Sequence, residues 1–127
     1  MSATMEFNAS EIEHGADQVF AKMRRRAQQA AREQKRRAEL AAVRRYSVER
    51  SAAHDFTDLA WEHRGGTFPL AALFEHDSSP MRLEVIGKMV ADAQRAGGIV
   101  IDGDSIFVAD SELVVDAVYS TRPSLRS

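Results

Sequence analysis

The longest uninterrupted feature of the chain is the stretch Ala16–Arg64, which contains neither glycine nor proline. Alanine, arginine, lysine, glutamine and glutamate dominate it, and all of these are good helix formers. The stretch therefore predicts a helix from about residue 11 to at least residue 46, with His63 as its furthest end. Unbroken, it would measure roughly 80 Å at about 1.5 Å per residue. A break near Tyr46-Ser47 or at Ser51, giving two helices, is the favoured alternative.

Two signals precede this stretch. Ser10 and Glu13 stand in the spacing of a capping box, in which each side chain satisfies a backbone amide of the first helical turn. Met5-Glu6-Phe7 is expected to form a short strand or a docking arm. The helix is thus expected to begin close to residue 11.

The apolar residues of the predicted helix change in quality along it. A buried face is expected at its start, and only alanines follow between Arg24 and Glu39, where little area can be buried. A stronger face is expected near its end. The first face comprises Ile12, Ala16, Val19, Phe20 and Met23, and the last comprises Val43, Tyr46, Phe56, Leu59, Ala60 and Trp61. Heptads begun at Ile12 place Arg26 and Glu33 at seam positions, which argues against a regular coiled coil.

The remainder of the chain is predicted to form short helices and strands separated by glycine and proline residues. Gly65-Gly66 ends the helical region, and residues 68–74 are predicted as an apolar turn. Ser79-Pro80 is typical of an N-cap followed by a first helical turn, and Gly97-Gly98 ends that helix. Apolar triplets at 99–101 and 106–108 around Asp102-Gly103-Asp104 predict a hairpin. A last helix would be capped by Asp110 or Ser111, with a third strand at 113–115 as the alternative.

The predicted fold class is mainly α (α+β): a long, basic N-terminal helix, continuous or broken, followed by a small helix–β-hairpin–helix unit. The expected organisation is an N-terminal arm and basic helical region at 1–64, a linker with turns at 65–80, the helix–hairpin–helix unit at 81–120 and a frayed tail at 121–127. Four aromatic residues are expected to join the long helix to this unit in one core, and these are Phe56, Trp61, Phe68 and Phe74.

Charge is segregated along the chain. The formal net charge of -2 is the sum of three unequal blocks: -4 over residues 1–21, +8 over 22–50 and -6 over 51–127. The middle block is expected to attract anionic partners, and the C-terminal block is expected to repel polyanions.

The middle block contains the candidate binding residues. Arginine matches phosphate bidentately and stays charged at any relevant pH, so sequence-independent contact with nucleic acid is the leading interpretation. Docking onto an acidic protein surface, including a neighbouring copy, and a solvated helix face with local pairs to Glu33, Glu39 and Glu49 are the alternatives. The candidate residues are Arg24, Arg25, Arg26, Arg32, Lys35, Arg36, Arg37, Arg44, Arg45 and Arg50.

Residues 81–109 place a helix, a glycine pair and a hairpin in the order found in winged-helix domains. The candidate recognition helix, however, offsets Arg82, Lys88 and Arg95 with two acidic residues, and the tip of the hairpin carries Asp102 and Asp104. Phosphates would be repelled there. This unit is therefore expected to contact protein, and no set of base-reading residues is present.

The sequence gives only weak support for metal binding or catalysis. His54, Asp58 and Glu62 lie four residues apart, and Glu75-His76-Asp77 adds ligand-type side chains, but neither set matches a metal-binding pattern. No phosphate-binding glycine loop, nucleophile elbow or framed carboxylate pair is found, and cysteine is absent from all 127 residues. We expect no metal, no cofactor and no enzymatic activity.

The sequence thus predicts a non-enzymatic binding protein whose arginine-rich helix contacts nucleic acid and whose acidic C-terminal unit makes protein contacts. The alternative is a structural assembly subunit of a larger particle or machine, in which basic and acidic blocks dock between copies or partners. A homo-oligomer or membership of a larger complex is expected in either case. No apolar run approaches the roughly 18 residues that span a bilayer, so a cytoplasmic location without membrane contact is expected.

Overall fold

A computed structural model describes the backbone of residues 9–126 and the side chains of residues 15–126. The expected strand or arm at Met5–Phe7 and the side chains of the capping box at Ser10 and Glu13 lie outside the described residues. The chain divides into two compact units, Met1–Ala42 and Val43–Ser127.

A single helix, α1, runs from Ala9 to Glu62. The expected break near Tyr46-Ser47 or at Ser51 is not present. Serine in a helix interior costs only a few tenths of a kcal/mol relative to alanine, and the neighbouring Ala52, Ala53 and Phe56 are fully buried on one face of this segment. Burial of that face outweighs the weak preference of serine for a break.

The second unit continues with a three-stranded antiparallel sheet in the order β1-β3-β2. Its strands are β1 (Thr67–Pro69), β2 (Ile99–Asp102) and β3 (Ser105–Val108). β2 and β3 form the predicted hairpin, in which Ile101 pairs with Ile106. β1, expected to be part of a turn, pairs with the other edge of β3, and Phe68 lies opposite Ile106.

Two further α-helices flank the hairpin in the chain, and a 3-10 helix at Leu70–Phe74 precedes them. Helix α2 (Pro80–Arg95) begins as predicted: the Ser79 hydroxyl accepts a hydrogen bond from the backbone N–H of Arg82, and Pro80 occupies the first turn. Helix α3 (Ser111–Ser120) is capped by Asp110, whose carboxylate accepts hydrogen bonds from the backbone N–H groups of Glu112 and Leu113. The alternative third strand at 113–115 is therefore wrong.

The second unit has one hydrophobic core. Phe56 from α1, Phe68 from β1, Leu73 from the 3-10 helix and Met89 from α2 are all fully buried in it. Phe74 packs against this core, but Trp61 remains largely exposed. Three of the four aromatic residues therefore join the core as expected, and Trp61 does not.

The end of the described chain also differs from the expected frayed tail. Residues Pro123–Arg126 form a 3-10 helix, and the side chain of Leu125 is buried in the core. The segment is held by this side chain together with the backbone hydrogen bond from Leu125 to Arg122, and a single leucine gives no periodic signal in the sequence.

In the first unit the expected buried face is not covered by the described residues. Val19, Phe20 and Met23 are 57%, 58% and 57% exposed. The helical spacing identified correctly which residues share a face, but a shared face is buried only where another element packs on it. The side chain of Ile12 lies outside the described residues.

Candidate nucleic-acid interface

The first unit contains seven of the ten candidate cations, and all seven are exposed. Within residues 15–126, none of them forms an ion pair with a carboxylate. The expected local pairs with Glu33 and Glu39 are thus absent from the described side chains. The seven are Arg24, Arg25, Arg26, Arg32, Lys35, Arg36 and Arg37.

Helical geometry sorts these cations into rows. At about 100° per residue, Arg25, Arg32 and Arg36 fall within roughly 40° of one another on the helix circumference. Arg26 and Arg37 form a second row about 100° from the first in one direction. Arg24 and Lys35 form a third row about 90° from the first in the other direction. A partner that touches one side of the helix therefore meets about three cations at a time.

One side of this helical segment carries no charge. It extends from Ala16 to Ala41 at spacings of three or four residues, and its largest side chains are Phe20 and Met23 at one end. Gln34 is its only polar residue. The three rows of cations occupy the rest of the circumference, so the segment has a cationic surface and an uncharged, alanine-rich surface.

The other three candidates, Arg44, Arg45 and Arg50, lie in the second unit. Arg44 and Arg50 are exposed. Arg45 is half-buried, and its Nε donates to Glu49 Oε1 at 3.1 Å while its Nη2 lies 3.4 Å from Glu84 Oε1. Hydrogen bonds to Glu49 and then to Glu84 raise the pKa of Arg45 above its ordinary value. Arg45 is therefore already neutralised and is a weaker candidate for a phosphate contact than the other nine.

Helix α2, the candidate recognition helix of the winged-helix interpretation, presents no unpaired cation. The guanidinium of Arg82 is buried and donates to the carboxylate of Asp55. Lys88 Nζ lies 3.3 Å from Glu84, and Arg95 donates to Asp92. Each of the three cations of this helix therefore has a carboxylate partner.

The histidine and carboxylate clusters noted in the sequence are not arranged as a metal site among the described side chains. His54 Nε2 lies 3.0 Å from Asp58 Oδ2 in an exposed pair, and Glu62 lines a shallow groove together with Glu75 and His76. Among the described side chains, no group of three or more histidine or acidic residues is placed to hold a metal ion. None of the described helices is long and apolar enough to cross a membrane.

Sequence reasoning missed a groove in the second unit. Trp61, expected in the core, lies beside the first turns of α3, where it lines this groove with Ser111, Glu112, Val115 and Asp116. The spacing of Glu112 and Asp116, one helical turn apart, was visible in the sequence. Their proximity to Trp61 was not, because it depends on how α1 and α3 pack.

No protein-family model matches this chain, and no curated protein or solved structure is similar enough to count as a match. The fold and the site define only a class: a mainly α chain with a small antiparallel sheet, which carries exposed and unpaired cations on its N-terminal helix.

Proposed function

We propose that this protein is a non-enzymatic binding protein whose N-terminal helix contacts the phosphate backbone of nucleic acid without sequence preference. The observation that supports the proposal is the set of seven exposed cations in the first unit, none of which is neutralised by a carboxylate within the described residues. Cations that have local partners gain little from phosphate, whereas unpaired arginines gain bidentate, charge-assisted hydrogen bonds.

The rows of cations predict how strongly salt weakens binding. If a duplex contacts one row, about three phosphates are neutralised, and the slope of log K against log salt is about -2.7. Affinity for duplex DNA should then fall roughly 40-fold between 50 and 200 mM salt. Contact by all ten candidates would give a far steeper loss, so the slope measures how much of the helix is used.

The experiment is a fluorescence anisotropy titration of the full chain against random duplex DNA, single-stranded DNA and RNA at these two salt concentrations. The test variant is R25Q/R32Q/R36Q, which removes one row. The control variant K88Q/R95Q/R126Q removes the same charge from exposed residues of the second unit.

We expect the row variant to bind more weakly and with a smaller salt slope, and the control variant to bind as the unaltered chain does. A third variant, R25K/R32K/R36K, keeps the charge and should fall between them, because lysine cannot form the bidentate contact. Equal losses in the row and control variants, or binding that does not depend on salt, would contradict the proposal.

A second candidate function is that of an assembly subunit, as the sequence also suggested. The observation that favours it is the exposure of Val19, Phe20 and Met23 on the uncharged side of the same helical segment. Contiguous exposed apolar side chains are typical of protein contact surfaces. Replacing Phe20 and Met23 with glutamine should lower the mass measured by light scattering if this surface joins chains.

A further inference from the structure

The groove beside Trp61 combines three features that bind cations. It has a volume of about 300 Å³, and its walls are an aromatic ring, two carboxylates and a hydroxyl. The Trp61 side chain is 59% exposed. Exposed tryptophan is uncommon unless it serves a contact, since its large apolar area favours burial.

The ring of Trp61 already accepts one guanidinium. The Cζ atom of Arg64 lies 4.2 Å from the ring centroid, within the distance of a cation–π interaction. One face of the ring is therefore already stacked with a cation, and Arg64 is not among the residues that line the groove.

The carboxylates are available for a partner. Glu112 has no hydrogen bond or ion pair to another described side chain, and Asp116 has only a long contact of 3.9 Å to Arg126, with both side chains exposed. The N-terminus of α3 contributes about half a positive charge, which Asp110, Glu112 and Asp116 together outweigh. Arg64 on the ring of Trp61 and Arg126 beside Asp116 add two positive charges nearby, so the groove keeps a small negative balance.

Ser111 adds a hydroxyl that is available to a ligand in the groove. Its side chain lines the groove, and the residue is only 8% exposed. Its hydroxyl has no hydrogen-bond partner among the described residues. Since no wholly buried polar side-chain atom in that part of the chain lacks a partner, this hydroxyl is open to solvent. A nearly buried hydroxyl without a partner is costly unless water or a ligand satisfies it.

We propose that this groove binds an arginine side chain from residues 24–37 of a second copy of the chain. An arginine could stack on the ring while its N–H groups donate to Glu112, Asp116 and Ser111, which a lysine ammonium does less well. The charge of the chain favours this occupant: residues 22–50 carry +8, residues 51–127 carry -6, and the candidate cations of the first unit have no carboxylate partner within residues 15–126.

This inference goes beyond the proposed function: the arginines of residues 24–37 are also the candidate phosphate contacts, but the groove that receives one of them is not. Docking of one surface onto a different surface of the next copy is heterologous, so it propagates into chains or closes into rings. The groove is small compared with a standard interface. The association should therefore be weak and should decrease with salt.

Trp61 is the only tryptophan, so its fluorescence in the full chain reports directly on the groove. The probe is a synthetic peptide with the sequence of residues 22–38, and the control peptide has glutamine in place of every arginine. We expect the arginine peptide to change the emission of Trp61 in a saturable way and the glutamine peptide to leave it unchanged.

The variant E112Q/D116N should require at least about ten times more peptide, since two ion pairs are lost. The matched control D102N/D104N removes the same charge at the hairpin and should respond as the unaltered chain does. An absent response, or equal responses of the two variants, would overturn the site.

Light scattering at low salt tests whether the occupant is a second copy. We expect the average mass to rise with protein concentration in the unaltered chain and in D102N/D104N, and to stay at the monomer value in E112Q/D116N. A monomer at every concentration would overturn the proposal even if the peptide binds. E112Q/D116N retains every candidate phosphate contact, so its affinity for DNA separates this result from the fate of the proposed function.

Discussion

The guanidinium of Arg82 connects three elements of the second unit, and its removal should strongly destabilise that unit. The side chain is only 3% exposed. Its Nε and Nη2 donate to the backbone carbonyl of Leu73 at 2.9 and 2.7 Å, its Nη1 donates to Ser51 Oγ at 3.2 Å, and its Nη2 donates to Asp55 Oδ2 at 2.7 Å. Helix α1, the 3-10 helix and α2 therefore meet at one charged group.

The substitution Arg82→Met keeps most of the apolar stem and removes all of these hydrogen bonds. Removing one member of a buried ion pair costs about 3–5 kcal/mol. The carboxylate of Asp55 is 35% exposed and can regain water, so the lower end applies. We expect a loss of about 3 kcal/mol in the free energy of unfolding. Asp55→Asn keeps an acceptor oxygen and should cost about 1 kcal/mol.

Urea unfolding followed by the fluorescence of Trp61 measures this loss in the unit concerned. With a slope of about 1.5 kcal/mol per molar urea, the midpoint of R82M should fall by about 2 M. The control is R95M, which removes an exposed arginine of the same helix and should change stability by less than about 0.5 kcal/mol. A loss below about 1 kcal/mol in R82M, or one equal to that of R95M, would refute this account of the buried arginine.

Three further outcomes are expected from the same assay. Gly98→Ala would place a Cβ 2.9 Å from both the backbone nitrogen and Cγ2 of Val114, so overpacking should cost about 1–3 kcal/mol; an unchanged midpoint would contradict this close approach. Ser79→Ala removes the N-cap of α2 and should cost about 1 kcal/mol, whereas no loss would mean that the cap is dispensable. Hydrogen bonds from the backbone N–H and then the hydroxyl of Ser79 lower the pKa of Asp77. That contribution is complete above the ordinary pKa of aspartate and is lost as pH falls through the lowered value, so the acid loss of stability should be smaller in D77A than in the unaltered chain.

The elements that the sequence predicted correctly depend on neighbouring residues. The start of α2 at Pro80 follows from the Ser79 cap and the fixed φ of proline. The hairpin depends on Gly103, whose φ of 60° in the turn is one that other residues rarely adopt. Such signals lie within a few residues of the element that they define, so they can be read without the fold.

The elements that were missed depend on distant residues. β1 is three residues long and includes Pro69, and nothing in its own sequence predicts a strand. It exists because Phe68 lies opposite Ile106 of β3, far along the chain. Leu125 likewise is buried only because the core it reaches has been assembled by other elements.

The same distinction limits how far the candidate site could be predicted. Arg25, Arg82 and Arg95 are identical in chemistry, yet one is exposed and unpaired, one is buried against a carbonyl and a carboxylate, and one forms a surface pair. The sequence gives the number of arginines and their spacing, but the partners of Arg82 come from separate elements. Only a structure shows which arginines are already neutralised by a carboxylate. Because Arg45 and the cations of α2 are neutralised in this way, whereas Arg44, Arg50 and the cations of residues 24–37 are not, the charge available to a partner is concentrated on α1. A partner that recognises this protein through charge should therefore lose its affinity through changes in that segment and keep it when the arginines of α2 are replaced.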